Sequence, residues 1–191
     1  MEPVVGSLAL ALLPGLSPRQ AFLLRSRASA REIFAHPHDH ADLLGPQALA
    51  AALAGSALVE AEAQVGETRR RGFDLVELDD VRYPALLRQT HDPPVVLFVW
   101  GELPAAPQPG AISIVGSRVS SPEGRTLAYA LARELAAAGL TVVSGLARGI
   151  DSAAHAGALE GRGHTIAVLG SGLGCLYPAE NAALAKRVAH S

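Results

Sequence analysis

From residue 112 onward the chain alternates short apolar runs with helical patterns, and few folds accept that rhythm. Strands are expected over 112–115, 140–143 and 165–169, each followed by a helix, over about 123–138, 150–160 and 179–189. Continuous apolar runs of this length, separated by helices, are how parallel strands buried on both faces read. Crossovers between such strands share one hand. The expectation is an α/β fold, a Rossmann-like parallel sheet with helices on both faces. Three βα units fit before Ser191, whereas open sheets of this class run to about five or six strands. The domain is therefore expected to be C-terminally incomplete. The run Val-Val-Leu-Phe-Val-Trp-Gly at 95–101 is expected to add one strand at an edge.

The upstream part has a different period. From Val4 to about Ala54 apolar residues recur at helical spacing, broken at Pro14–Pro18, His36–His40 and Gly45-Pro46, which predicts short helices. A longer helix is expected over 56–71, ending in Arg69, Arg70 and Arg71, then a short strand in 73–80. The division expected is a small all-α domain at 1–72, connecting strands and a proline-rich link at 73–111, and the Rossmann-like domain at 112–191. The Pro14-Gly15 turn between two helical segments is like a helix-hairpin-helix, in which amides beside the glycine meet a phosphate. Ser17 stands where a second glycine would permit close approach, so the segment reads as a packing or protein-contact module. His36-Pro37-His38-Asp39-His40 reads as a solvated loop rather than a metal site, because proline and alternating spacing preorganise no ligand geometry.

Charge separates the same two parts. The formal net charge is −2, which excludes a generally basic nucleic-acid binder. Residues 1–111 carry −4 and residues 112–191 carry +2, so an anionic partner should prefer the second part. Of the 16 basic residues, Lys186 alone is lysine. The single Cys175 rules out an internal disulfide and a cysteine-rich zinc cage, and neither metal nor cofactor is expected. No apolar run reaches the roughly 20 residues of a membrane span, and the N-terminus lacks the flanks of a signal peptide. The chain reads as soluble and cytoplasmic, with no membrane partner.

In open parallel sheets ligands bind beyond the carboxyl ends of the strands, and three loops should land there. The first offers Gly116 for close backbone approach, Ser117, Ser120 and Ser121 as hydroxyls, and Arg118 as a fork for phosphate. Ser121-Pro122-Glu123 also reads as a helix cap, which leaves Arg118 without a structural explanation. The second loop, Ser-Gly-Leu-Ala-Arg-Gly-Ile-Asp from Ser144, places Arg148 between Gly145 and Gly149, whose amides are expected to face outward. Asp151 reads as a helix cap that also orients Arg148, and His155 as a helix-surface or interface residue. The third loop offers Gly170 and Gly172, with Tyr177 read equally as a base-stacking platform or a core residue, and Asn181 or Lys186 as polar contacts. Its dinucleotide fingerprint fails, since Cys175 stands at the third glycine position. Ser144 and Ser152 lack the setting of an activated nucleophile, so no catalytic residue is expected.

The ordered motifs Ala-Ile-Ser-Ile-Val-Gly-Ser-Arg, Ser-Gly-Leu-Ala-Arg-Gly-Ile-Asp-Ser-Ala-Ala-His and Tyr-Pro-Ala-Glu-Asn, preceded by Tyr-Pro-Ala-Leu-Leu-Arg, resemble the bacterial DNA-processing protein A (DprA or Smf) family over about 83–181. The N-terminal helices resemble that family's sterile-alpha-motif-like domain. The resemblance implies a single-stranded DNA-binding protein of natural transformation, not an enzyme, that helps load the recombinase RecA and forms a homodimer in its full-length form. It places Gly116, Ser117 and Arg118 at the DNA pocket, with Gly145, Arg148 and Gly149 on its rim. It places the recombinase contact beyond this chain. Where the family commonly has Gly-Leu-Asp, this chain has Gly172-Leu173-Gly174, so a carboxylate is missing. The alternative is a nucleotide-binding or nucleoside-monophosphate-processing enzyme on a related sheet, whose Pro-Gly-Gly-x-Gly-Thr loop this chain lacks.

Overall fold

The computed structural model describes residues 1–103 and 110–191, and these fall into two compact units, Met1–Val99 and Trp100–Ser191. The proline-rich link expected near 102–110 lies mostly on 104–109, outside the described residues.

The first unit holds five helices, α1 (Pro3–Leu12), α2 (Pro18–Arg27), α3 (Ala30–Ala35), α4 (Ala41–Ala54) and α5 (Ser56–Arg70). Then come strand β1 (Asp74–Glu77), the short helix α6 (Ala85–Arg88) and strand β2 (Val96–Val99). Capping chemistry sets the early boundaries: Ser17 with Gln20 and Ser29 with Glu32 each form a reciprocal box at a helix start. Ser17 is thus spent as a cap, and Gly15 takes a positive φ of 74° at the turn before it. The core gathers Leu8, Leu10, Leu24, Ile33 and Val65 with Leu75 and Val96 of the two strands. The strand at 96–99 is therefore no edge of the parallel sheet: it pairs antiparallel with β1, Leu75 opposite Phe98. The 36–40 segment is no open loop either, since Pro37–His40 form a 3-10 turn. Arg69 binds Glu2, and Arg70 and Arg71 both bind Glu67, so each arginine of the basic cluster closing α5 is paired locally and the cluster keeps one of its three charges in excess. Among the described residues no single helix is long and apolar enough to cross a membrane.

The second unit contains the parallel sheet, β3 (Ala111–Ser113), β4 (Thr141–Ser144) and β5 (Thr165–Ala167), in that order, with helices α7 (Pro122–Ala137), α8 (Ile150–Glu160) and α9 (Ala182–Val188). Ile112 pairs with Val142, and Ser144 with Ala167. Strands adjacent in both sequence and sheet are joined by crossovers of one hand, which set their helices on one face. Accordingly α7 and α8 pack on each other, and Ala128, Ala132, Ala154 and Ala158 share a core with Ile114 and Val142. The cover expected on both faces reduces, for these two crossovers, to one. Small side chains allow this close approach: a Cβ on Gly157 would stand 2.1 Å from the Tyr129 carbonyl oxygen of α7. The last helix is shorter than expected, because Ala179–Asn181 form a 3-10 turn before α9.

Candidate nucleic-acid interface

Each strand of the parallel sheet ends in a glycine-bearing loop, and all three loops meet at the carboxyl edge. Asp151, buried in the first turn of α8, ties two of them together. Its Oδ2 accepts the Gly145 amide at 3.1 Å and its Oδ1 accepts the Gly116 amide at 3.4 Å. A carboxylate receiving amides from two strand ends fixes their spacing, a charge-assisted role. Asp151 was expected to cap its own helix, orient Arg148 and steady the loop; it steadies the loop, but makes no bond to Arg148, and the N-cap of α8, Gly149, has no side-chain cap.

The glycines divide by purpose. Gly116 was read as admitting close backbone approach, and Gly145 and Gly149 as turning amides outward; the Gly116 and Gly145 amides donate to Asp151 instead, and all three glycines are required by contacts within the protein. A Cβ at Gly116 would stand 2.7 Å from Ile150, and one at Gly145 2.9 Å from Asp151. Gly149, at φ 78°, presses on the Ser117 carbonyl oxygen, which a Cβ would approach to 2.3 Å. The Ile150 amide donates to that same oxygen at 3.3 Å, buckling the first loop to the second. Gly170 and Gly172, by contrast, have nothing within 4 Å of a built Cβ and stand open.

Polar side chains divide in the same way. Ser120 is a correction: its hydroxyl is buried behind Gly149 without a partner and cannot reach a ligand at the surface. Ser117 accepts the Val119 amide and donates to the Val119 carbonyl, which shapes the turn that presents Arg118. Arg118 is exposed, and its side chain makes no hydrogen bond or ion pair among the described residues. Val119 beside it is 94% exposed. Arg148 is not free: Nε and Nη2 both donate to the Glu180 carboxylate at 2.7 Å. That bidentate pair holds the Glu180 carboxyl below the usual range and keeps the guanidinium charged. Tyr177 is 62% exposed, which excludes it from the core.

Lys186 departs furthest from expectation. Helix α9 returns along β5, so Lys186 lies beside Arg162 and His164 at the opposite end of the strands, away from the glycine loops. Asn181 stays at the carboxyl edge, but as a clamp: its amide donates to the Leu146 carbonyl at 2.7 Å and to the Ser152 hydroxyl at 2.8 Å. Both serines weighed as nucleophiles are engaged, Ser144 to the Ile114 carbonyl and Ser152 to the Ala147 carbonyl. His155, read as a surface residue, is fully buried against Thr165, with its pKa lowered to about 4 chiefly by burial. No sequence signal separated it from an exposed helical histidine. Among the described residues no group of histidine, cysteine and acidic side chains is arranged to hold a metal.

The first and third loops also carry free donors. The amides of Ser117, Arg118, Gly170, Ser171 and Gly172 make no hydrogen bond among the described residues. With the Arg118 guanidinium they leave donors free in the first and third loops of the carboxyl edge, chemistry suited to phosphate oxygens.

Comparison with known proteins agrees with this geometry. The sequence profile described as DNA recombination-mediator protein A matches residues 74–191. The DNA processing protein DprA of Bacillus subtilis is 36% identical over 121 residues, covering 63% of this chain and 41% of that protein. Protein Smf of Escherichia coli is 44% identical over 111 residues, covering 58% of this chain and 29% of that protein. The chain thus spans less than half the length of these relatives. The X-ray structure of DNA processing protein A from Streptococcus pneumoniae superposes over 100% of this chain and 66% of its own, with a TM-score of 0.73 and 30% identity. A structure of DNA processing protein A from Helicobacter pylori, concerned with its single-stranded DNA binding mode, matches 62% of this chain and 52% of its own at TM-score 0.54 and 30% identity.

Proposed function

The chain belongs to the DNA recombination-mediator protein A family, and from that premise we propose that its carboxyl sheet edge binds single-stranded DNA through phosphates, without reading sequence. The observation that carries this is Arg118, an exposed guanidinium with no internal partner, standing among free amides at the edge where parallel sheets take ligands. Tyr177 and Val119, both exposed, offer the apolar surface on which unstacked bases settle. The protein's role is then to hold and hand over single strands in DNA processing, in the cytoplasm and without chemistry of its own. Transfer to RecA and homodimerisation are part of this reading.

Fluorescence anisotropy with single- and double-stranded oligonucleotides, titrated with salt, tests it. Single strands should bind more tightly than duplex. Arg118→Ala should weaken every oligonucleotide sequence about 5- to 30-fold and flatten the salt slope by about 0.7, the share of one phosphate contact. Unchanged affinity, or a loss confined to particular sequences, refutes the assignment.

A further inference from the structure

At the other end of the second unit a cavity of about 720 Å³ opens between the C-terminal ends of α8 and α9. Arg162, His164, Lys186, Arg187 and His190 line it over an apolar wall from Leu159, and no acidic side chain joins them. Eight of the fifteen arginines are tied to carboxylates, Arg25, Arg27, Arg69, Arg70, Arg71, Arg82, Arg133 and Arg148. In the second unit four basic side chains make no bond among the described residues: Arg118 at the glycine edge, and Arg162, Lys186 and Arg187 together in this cleft. The +2 of residues 112–191 has the same origin, because residues 112–160 balance to zero. The two acids of this stretch do not enter the cleft: Glu180 is paired with Arg148, and Glu160, the last residue of α8, is not among the lining side chains.

Basic residues in the last turn of a helix ordinarily answer its dipole. That accounts for part of the cluster only. Two helix ends amount to about −1 together, against three permanent positive charges. The backbone adds a second argument. Gly161 and Gly163 are held as glycine by α7, since a Cβ on either would stand 2.4 or 2.5 Å from a carbonyl oxygen. Arg162 is thus the one residue of that turn able to project a side chain, and it does so at φ 56°, where glycine or asparagine would cost less.

We infer that this cleft is a second phosphate site, taking the backbone of a single strand that runs past the glycine edge. The inference rests on the reading of that edge given above. Helix α8, with 11 residues, separates the two sites by roughly 16 Å, so a short oligonucleotide fills the edge alone and a longer one reaches both.

The test is a salt-titrated anisotropy comparison of oligonucleotides of about 3 and about 30 nucleotides, the shorter spanning only about 10 Å, using the whole chain and the triple variant Arg162→Gln, Lys186→Gln, Arg187→Gln. All three side chains are exposed, so the variant should keep its thermal midpoint, which is measured first. The long oligonucleotide should lose about tenfold in affinity and its salt slope should flatten by about 2, three contacts at about 0.7 each. The short one should be unaffected. Equal slopes for variant and wild type on the long strand overturn the inference. So does binding of inorganic phosphate or a mononucleotide that the variant loses while both oligonucleotides bind as before, since the cleft would then serve small phosphates. A wild type that binds no strand at all refutes the edge reading and this one together; one that binds both lengths with equal slopes refutes only this one.

Discussion

Lowering the pH should unfold the second unit through one imidazole. His155 is fully buried, 0% exposed, between α8 and the sheet. The Thr165 hydroxyl donates its only proton to the Val142 carbonyl at 2.8 Å, so at its 2.7 Å contact with His155 it must accept. Nδ1 therefore carries the proton of the neutral ring, and Nε2 is left buried without a partner. A second proton would have to sit on Nε2, which makes no hydrogen bond among the described residues. Burial drives the pKa from 6.5 to about 4, and the attraction of Asp151 and the Ser144 backbone recovers only part of that. A depressed histidine pKa means that the unfolded chain binds the proton more tightly. The stabilisation is present above pH 6.5 and disappears as pH falls toward 4. Over the whole window it amounts to about 3 kcal/mol, and at pH 5 about 2 kcal/mol of it is already lost. Urea denaturation followed from pH 7.5 to 4.5 in wild type and His155→Gln measures it. The variant should be less stable at neutral pH and should lose most of the histidine-dependent slope. The reasoning fails if both proteins lose stability in parallel, or if NMR shows the His155 ring of the folded protein titrating near its ordinary pKa.

Other expectations test single contacts. If a phosphate displaces Glu180 from Arg148, Glu180→Gln should raise single-strand affinity about two- to fivefold, the scale of an exposed pair, and Arg148→Ala should lower it; equal affinity in Glu180→Gln would show that Arg148 stays out of the grip. Gly149→Ala forces a side chain onto the Ser117 carbonyl at positive φ and should cost about 2 to 4 kcal/mol in chemical denaturation. Gly172→Ala, in open space, should change stability by less than about 0.5 kcal/mol, so any lost DNA affinity there reports the binding surface itself.

Elements whose periodicity is local were legible in the sequence. The βα alternation gave the three strands and both long helices to within a residue or two, because an apolar run and a capped amphipathic helix are each set by their own residues, as Ser121 shows in capping α7. What was lost depends on partners far along the chain. Nothing in Val96–Val99 states that it pairs with β1 rather than with the parallel sheet. Nothing near Arg148 announces Glu180, 32 residues on, and nothing near Lys186 announces that α9 turns back to Arg162. Such contacts are decided by topology, which a period does not encode.

The distribution of glycines carries the argument one step further. A motif with glycine at every loop invites the reading that each one admits a ligand, yet at the carboxyl edge the second loop is a buckle. Asp151 takes the amides of Gly116 and Gly145, and Gly149 seats the Ser117 carbonyl. Loops joined so closely cannot adapt one at a time to an incoming strand. What is left to meet phosphate is the outer turn at Arg118 and the open glycines of the third loop, which stand on either side of that buckle. Binding then depends on two rigidly spaced donor groups rather than on a flexible pocket. A grip of that kind measures the spacing of a backbone and ignores its bases, as the single-strand binding proposed above requires.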